Sequence, residues 1–508
     1  MRVEFPRVTP ESVGISSAAI EKLLNVLEGG FTEMHSLQIM RFGKICAEGW
    51  WRPYAPGVPH NLMSVTKTYA ATAIGIAYTE GLLQLENRII DLFAEEAPSE
   101  ISPFLQQLTI RDILCMGCGM ENMPSPSSGW IRDFLATPVI HPPGSTFMYN
   151  SIGSSLLAAI IKKCTNTDLR HYLKVKLFDK IGIDADNLKW VYMPDGTEAA
   201  GAGLYATTED NLRLMKLYAD GGFAGGEQIL SSEYIRLATS AQIDSSMQGV
   251  EYPFAYDNVC GYGFQIWMCR PEGAYRADGA MGQFCVVLPR QNMLISITET
   301  GKGIDGPQKT LDALWDFLND ITADGPIQEQ PAAAAHLARR LSCLSLPRPV
   351  YQPFSRYASI VGGRVYGVTS GVLRLENPTL SLFCGIHASG GISKFAFSFE
   401  KHTCMLYIQL GGSPRCLYVA LDGSRALNTL SIAQEAATLL YLSGAWITEK
   451  TFSVFARWIE TSFEKELRFH FEGDACTVTI YDPIESYGPL GPLNESPVHA
   501  ISEGIGNI

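Results

Sequence analysis

The strongest constraint on the fold is a helical segment at 61–83 whose apolar residues surround the helix instead of lining one face. A helix that faces water needs a polar side, and this one has almost none. We therefore expect it to be buried between other layers of structure. The chain has 508 residues, which at roughly 150 residues per domain predicts two or three domains and leaves room for such layers.

Strand patterns lie on both sides of this buried helix in the sequence. Residues 36–51 alternate around a short turn and predict two antiparallel strands. Further strands are predicted at 261–269, 275–288 and 293–300, and a closing helix at 305–321. Strands from distant parts of the chain with helices between them predict an α+β domain, in which helices flank one antiparallel sheet.

The composition changes after the closing helix. A linker containing Pro and Gly is predicted at 323–331, and a short Ala-rich helix at 332–344. Short strand patterns then recur from about residue 350, which is typical of a small antiparallel β-barrel of the lipocalin-like kind.

We therefore predict three parts: a catalytic domain at 1–322, a linker with its helix at 323–349, and a barrel domain at 350–508. The barrel is expected to contribute no catalytic side chain. Three roles remain open for it: covering the mouth of the cleft, forming a subunit contact in a homo-oligomer, or stabilising the catalytic domain.

Charge and composition exclude several classes of partner. The formal net charge is −13, with 39 Lys and Arg against 52 Asp and Glu, so most of the surface repels nucleic acid and anionic lipid. No run approaches the roughly 18 apolar residues of a membrane helix, and the first residues lack a secretory pattern. The 12 cysteines are scattered, which favours reduced thiols. We expect a cytoplasmic protein without metal or cofactor and with neither nucleic-acid nor membrane partners.

The first candidate for chemistry is Ser64-Val65-Thr66-Lys67 at the start of the buried helix. Residues three apart share a helical face, so Lys67 can reach the Ser64 hydroxyl, and burial favours the neutral amine that a general base requires. Two further SxxK matches, at 398–401 and 462–465, fall in strand patterns where the two residues point to opposite faces. Only Ser64 and Lys67 therefore predict an activated serine.

A second motif, PPGSTFMYNS at 142–151, is followed by an apolar helix. With the Ser64 motif it resembles the serine β-lactamase and penicillin-binding protein family, in particular the class C-like branch of esterases and D-aminopeptidases. Segments 108–114 and 202–210 agree with that resemblance, which covers about 8–320. It implies that Tyr149 takes the tyrosine position of a Tyr-x-Asn motif and shares protons with Ser64 and Lys67. The family's Asn is replaced by Ser151, and Asn150 lies in the middle, so we expect both near the substrate.

The family's third motif, Lys-Thr-Gly or His-x-Gly, corresponds by position to Ala277-Asp278-Gly279-Ala280. The resemblance implies that Gly279 allows close backbone approach and that the Ala280 and Ser64 N–H groups form an oxyanion hole. Asp278 is expected to belong to a local network at the substrate site. Ala277 stands where the family has a Lys or His, so the cation that would bind a substrate carboxylate is missing.

Together these residues predict a metal-free serine hydrolase that forms an acyl-enzyme on small esters or amides, including those of D-amino acids and peptides. Two alternatives stay open. One is a penicillin-recognising binding protein that acylates slowly or not at all. The other is a true class C-like β-lactamase, against which the missing cation and the missing export signal both argue.

Overall fold

A computed structural model describes residues 4–125, 127–375, 377, 379, 391–431, 438–481 and 496–506. Its α-helices, in chain order, are α1 Ser17–Leu27, α2 Thr66–Thr79, α3 Ile89–Leu92, α4 Ile110–Leu114, α5 Trp130–Ala136, α6 Ser151–Thr165, α7 Leu169–Leu173, α8 Asp179–Ile181, α9 Thr208–Ala219, α10 Ser232–Ala238, α11 Gln248–Glu251, α12 Gly306–Leu318, α13 Pro331–Cys343 and α14 Ala358–Val361.

The strands, again in chain order, are β1 Thr32–Arg41, β2 Lys44–Trp50, β3 His60–Asn61, β4 Lys189–Trp190, β5 Leu204–Ala206, β6 Phe223–Ala224, β7 Glu227–Gln228, β8 Trp267–Met268, β9 Tyr275–Gly279, β10 Gln283–Leu288, β11 Met293–Gly301, β12 Arg364–Ser370, β13 Ile392–Phe399, β14 Thr403–Leu410, β15 Ser413–Ala420, β16 Ala426–Leu430, β17 Thr438–Thr448, β18 Thr451–Trp458, β19 Glu464–Glu472, β20 Ala475–Tyr481 and β21 Val498–Ile505.

Distant parts of the chain complete one antiparallel sheet of six strands, in the order β2-β1-β11-β10-β9-β8. Helices cover both faces of this sheet. Ser296 and Glu299 of β11 are three residues apart and therefore point to opposite faces. The Ser296 hydroxyl donates to the Thr208 carbonyl of α9, whereas the Glu299 carboxyl accepts from Thr310 of α12. This arrangement confirms the predicted α+β class.

Helix α2 is enclosed as its all-round apolar sequence predicts: every residue from Thr66 to Ala77 is buried. It packs against α6 and α10. Gly75 is the point of closest approach to α10, because a side chain there would collide with the ring of Tyr234. The Tyr234 hydroxyl donates to the Ala71 carbonyl at 2.6 Å.

The predicted single strand at 275–288 is wrong: the segment forms the two strands β9 and β10 with a turn between them. Both strands are nearly continuous in buried residues, so the hydrophobic pattern has no break at the turn. The backbone reverses where Met281 and Gly282 have φ of 68° and 88°, a left-handed conformation that glycine adopts without strain but a methionine does not. This turn begins at Ala280.

The C-terminal strands form a closed barrel, as predicted. Nine of them follow the order β15-β14-β13-β12-β21-β20-β19-β18-β17, and β17 then pairs with β15 to close the ring. That closing pair is parallel, at Ala420 and Ser443, while the other pairs are antiparallel. Among the strand patterns after residue 350, the sequence also indicates a strand at 360–366; this is wrong in its first half, because α14 and a glycine turn precede β12, which begins at Arg364. The barrel interior holds mutually packed aromatic rings: Tyr366, Phe395, Phe397, Phe399, Trp446, Phe452, Phe469 and Phe471.

The described chain divides into two compact units, one ending at Ser345 and one beginning at Leu346. Helix α13 belongs to the first, where Arg340 donates hydrogen bonds to Glu21 of α1 at 2.5 Å and to Glu28, directly after α1, at 2.7 Å. The predicted domain limits at 322 and 349 stay a prediction. Among the described residues, every helix is too short or too polar to cross a bilayer.

Candidate active site

Ser64 lies in a tight turn between β3 and α2. The turn, a 3-10 segment at Met63–Val65, places the partly accessible Ser64 between two fully buried neighbours. Met63 has a φ of 49°, a left-handed conformation that costs an ordinary residue about 1 kcal/mol or more. The Asn61 side chain holds this turn by accepting the Met63 N–H at 3.1 Å. Strain of this kind is common where a reactive side chain is presented.

Lys67 is buried one helical turn after Ser64 and is surrounded by oxygen atoms. Its Nζ lies 2.8 Å from Ser64 Oγ, 3.0 Å from Ser151 Oγ and 2.5 Å from the Gly201 carbonyl oxygen. Burial lowers the pKa of Lys67 to about 7, against the opposing effect of the Asp278 carboxylate. A substantial fraction of Lys67 is therefore the neutral amine near neutral pH.

The three partners of Lys67 determine which hydrogen bonds its neutral amine would donate and which it would accept. A carbonyl oxygen can only accept, so one N–H is donated to Gly201, and Ser151 Oγ can accept the second. The lone pair is then left for the Ser64 hydroxyl, which donates to Nζ. This geometry allows Lys67 to take the Ser64 proton in a single step.

Tyr149 completes the polar group around Ser64. Its hydroxyl shares a hydrogen bond with the Ser64 side chain, and desolvation raises the pKa of the phenol above its usual value. The ring lies 4.8 Å from Lys67 Nζ and stacks on Trp267 at 5.9 Å between centroids. A phenol with a raised pKa stays protonated at neutral pH, so Tyr149 can donate a proton but is a poor base.

Asn150 and Ser151 play different parts, although both were expected near the substrate. The Asn150 side chain is fully buried and caps α6 by accepting the Gly153 N–H at 2.8 Å. Its amide nitrogen bonds the Met120 sulfur, so the expected contact of Asn150 with substrate has no support in this geometry. Ser151 instead contacts Lys67 directly, where the family pattern has an asparagine.

Gly279 and Ala280 bring β9 against the turn that carries Ser64. A side chain at Gly279 would collide with the Leu62 carbonyl oxygen and crowd Met63, so only glycine permits this approach. Ala280 follows directly, at the start of the β9–β10 turn. Among the described residues, none accepts a hydrogen bond from the N–H of Ser64 or of Ala280. Both donors are available to an oxyanion.

The remaining third-motif residues face different surroundings. Asp278 Oδ2 accepts from Arg276 Nε at 2.7 Å, and its side chain is 21% exposed, in agreement with a network residue at the site. Ala277 is completely buried and pairs with Cys285 of β10. The structure thus brings together Ser64, Lys67, Tyr149, Ser151, Asp278, Gly279 and Ala280, and turns Asn150 away.

Gly201 and Trp267 are site residues that sequence reasoning missed. Gly201 contributes a backbone carbonyl, which leaves no residue-type signal, although a side chain there would collide with the Ser151 carbonyl. An aromatic residue such as Trp267 is more often a core residue than a site residue, and its stacking on Tyr149 depends on the pairing of β8 with β9. The motif AGAGLY around Gly201 was the available hint, since its glycines mark close backbone approach.

Several known proteins are similar to this chain in sequence or in fold. A β-lactamase family profile matches residues 34–317. The 6-aminohexanoate-dimer hydrolase of Paenarthrobacter ureafaciens is 24% identical over 280 residues, covering 51% of this chain and 70% of that protein. A candidate β-lactamase structure from Bacteroides dorei DSM 17855 matches at a TM-score of 0.50 and 13% identity, covering 60% of this chain and 99% of its own. The structure of the octameric penicillin-binding protein homologue from Pyrococcus abyssi matches at a TM-score of 0.47 and 16% identity. The match covers 95% of this chain and 99% of that one.

Proposed function

The chain belongs to the β-lactamase family, and from this premise we propose that it is a serine hydrolase working through an acyl-enzyme on small esters or amides. The observation that carries the proposal is the buried Lys67 amine, with a pKa of about 7, held 2.8 Å from the Ser64 hydroxyl. A surface lysine would be protonated at neutral pH and could not accept a proton.

Acylation begins with attack of Ser64 Oγ on the substrate carbonyl carbon. The Ser64 proton passes to Lys67 Nζ, and the carbonyl oxygen becomes an oxyanion bound by the N–H groups of Ser64 and Ala280. The bond to the leaving group then breaks. The leaving oxygen or nitrogen takes a proton from the Lys67 ammonium, with the Tyr149 hydroxyl as the second donor beside Ser64.

Deacylation reverses these roles with water as the nucleophile. Lys67, neutral again, takes a proton from water while the hydroxide attacks the acyl carbon. The Ser64–acyl bond breaks, Ser64 Oγ regains its proton from Lys67, and the carboxylic acid leaves. One ester or amide and one water are consumed in each cycle, and no metal or cofactor takes part.

Two features support small esters or amides over β-lactams. The third motif has Ala277 where a cation would bind a β-lactam carboxylate, and Ala277 is completely buried. The relative from Paenarthrobacter ureafaciens is named for hydrolysis of the 6-aminohexanoate dimer. Neither feature separates esters from amides, so the choice between esterase and amidase belongs to a substrate panel.

A burst experiment with a chromogenic ester such as p-nitrophenyl acetate tests the proposal. We expect one equivalent of p-nitrophenol per chain in a fast phase, because this good leaving group makes acylation faster than deacylation, and then steady turnover, because Lys67 can also activate water for deacylation. A single stoichiometric burst without turnover would contradict the enzyme and support the binding-protein alternative. Steady hydrolysis of benzylpenicillin faster than of the ester would favour the β-lactamase alternative.

The pH profile is the second prediction. Lys67 must be neutral to accept the Ser64 proton, so kcat/KM is expected to rise about tenfold per pH unit at low pH and to level off above pH about 7. The rate rises with pH because the Lys67 ammonium loses its proton around pH 7. Below that pH, Lys67 is protonated and cannot act as the base. The measurement is kcat/KM for a neutral ester between about pH 5 and pH 9. A flat profile, or a limb near the ordinary lysine pKa, would contradict Lys67 as the base.

A further inference from the structure

The Ala280 N–H can bind an oxyanion only if its peptide group is held in one orientation. A peptide group is planar, so the direction of this N–H is set by the backbone on both sides of it. An oxyanion donor acts at about 2.7–3.1 Å from the position of the developing charge, and a small rotation of the peptide group loses that distance. Whatever holds the β9–β10 turn therefore decides how well the second donor works.

Three successive carbonyl groups of this turn, at 279–281, accept hydrogen bonds. Two of their donors are backbone N–H groups, those of Gly282 and Gly301. The third donor is a side chain, because Gln283 Nε2 donates to the Ala280 carbonyl at 3.3 Å. A substitution leaves the two backbone donors in place but can remove the third.

Gln283 connects the turn to the middle of the sheet. It is the first residue of β10 and is completely buried. Its Nε2 also donates to the Glu299 carbonyl of β11 at 2.7 Å, and a primary amide carries two N–H groups, so both bonds can form at once. The side chain thereby ties Ala280 to β11, the strand between β10 and β1.

The turn needs such support because its backbone conformation is not one that the chain adopts freely. Met281 has a φ of 68°, a left-handed conformation that persists in an ordinary residue only where the surroundings hold it. The next residue is packed against β11, since a side chain at Gly282 would collide with the Glu299 carboxyl group. Contacts with β11 therefore determine the shape of the turn that carries the Ala280 N–H.

We propose that Gln283 is a positioning residue for acyl transfer, whose amide holds the turn so that the Ala280 N–H points at the oxyanion formed on Ser64. The inference rests on the proposed function and goes beyond it, since Gln283 lies outside all three motifs. Gln283 acts through the Ala280 backbone. Its loss weakens the stabilisation of the oxyanion and leaves Lys67 as the base.

The test compares p-nitrophenyl acetate with p-nitrophenyl thionoacetate, in which sulfur replaces the carbonyl oxygen. Sulfur is a weak hydrogen-bond acceptor, so the thionoester gains little from the two N–H donors. For both substrates kcat/KM reports acylation, because release of p-nitrophenol is the first irreversible step. We expect Gln283→Met to lower kcat/KM about 10- to 100-fold for the ester, somewhat less than the loss of about 10²- to 10³-fold on deleting a donor. The thionoester should change less than about threefold.

The ratio of the two kcat/KM values is the measurement that a purely structural role of Gln283 would not change. If a folded Gln283→Met lowers both substrates by the same factor, or leaves both unchanged, the inference is wrong. The pH at which kcat/KM levels off should match the wild type, and a shift of that pH would show instead that Gln283 acts on the base. A burst with p-nitrophenyl acetate in the wild type would still support the hydrolase itself.

Gln38→Met is the matched control. Gln38 is a completely buried glutamine of the same sheet, on β1. Its Nε2 donates to Glu48 of β2 at 2.9 Å, toward the edge of the sheet opposite to β9. We expect its loss to leave the ratio of ester to thionoester within about twofold of the wild type. A fall as large as that of Gln283→Met would show that any buried amide of the sheet has this effect and would overturn the inference.

A second variant covers the case in which Gln283→Met does not fold. Gln283→Asn retains the amide, but its side chain is one methylene shorter and withdraws the amide from the Ala280 carbonyl. We expect the ratio of ester to thionoester to fall about three- to tenfold, with the change again confined to the ester. A folded Gln283→Asn with the wild-type ratio would contradict the proposal.

Discussion

Replacing Lys67 with alanine is expected to lower the rate of acylation by about 10³- to 10⁴-fold. General-base help alone is worth about 10²- to 10⁴-fold, and Lys67 also holds Ser64, Ser151 and Gly201 in one network. Residues that act as a unit lose most of their joint effect when one is removed. The measurement is the burst rate with p-nitrophenyl acetate, which isolates acylation.

Two further variants separate chemistry from folding. Lys67→Met keeps most of the side-chain volume but removes the amine; it relieves the cost of burying a polar group and leaves the Gly201 carbonyl without this donor. Because these two effects oppose each other, we expect a folded protein with a melting temperature close to that of the wild type, together with the same loss of activity. Lys162→Ala, at the exposed end of α6, is the matched lysine control and should retain the wild-type burst. Activity of Lys67→Met within about tenfold of wild type would contradict the mechanism.

Local patterns predicted the elements that frame the site. The apolar circumference of α2 predicted its burial. The three-residue spacing of Ser64 and Lys67 predicted their contact. These features depend on residues close in sequence, where side-chain type and helical periodicity suffice.

Other parts of the site depend on backbone atoms and on pairing between distant segments. The Gly201 carbonyl and the two free N–H groups have no side-chain signature, and the left-handed φ of Met63 could not be read from its residue type. The turn at Ala280 lies between strands that are both buried, so the hydrophobic pattern continues through it. Asn150 was expected near the substrate from its place in the motif, but its side chain caps α6 instead.

The barrel shows the same limit on a larger scale. The strand patterns at 394–399, 404–410, 416–421, 452–459 and 476–481 predict β13, β14, β15, β18 and β20, whereas β16, β17, β19 and β21 were not predicted. Each of the missed strands is defined by partners in the same closed ladder, and strand preference depends strongly on such context. The role of the barrel, as a cover, a subunit contact or a support, stays a prediction.

The central claim is that Ser64 carries the acyl group, and covalent labelling with a fluorophosphonate, read by mass spectrometry, tests it most directly. The chain supplies its own controls in the other two SxxK serines: Ser398 lies within β13, and Ser462 just before β19. We predict stoichiometric labelling of the wild type, of Ser398→Ala and of Ser462→Ala, and no labelling of Ser64→Ala, because Ser64 has a lysine amine of lowered pKa at hydrogen-bonding distance. Labelling of Ser64→Ala at the wild-type rate would contradict the account.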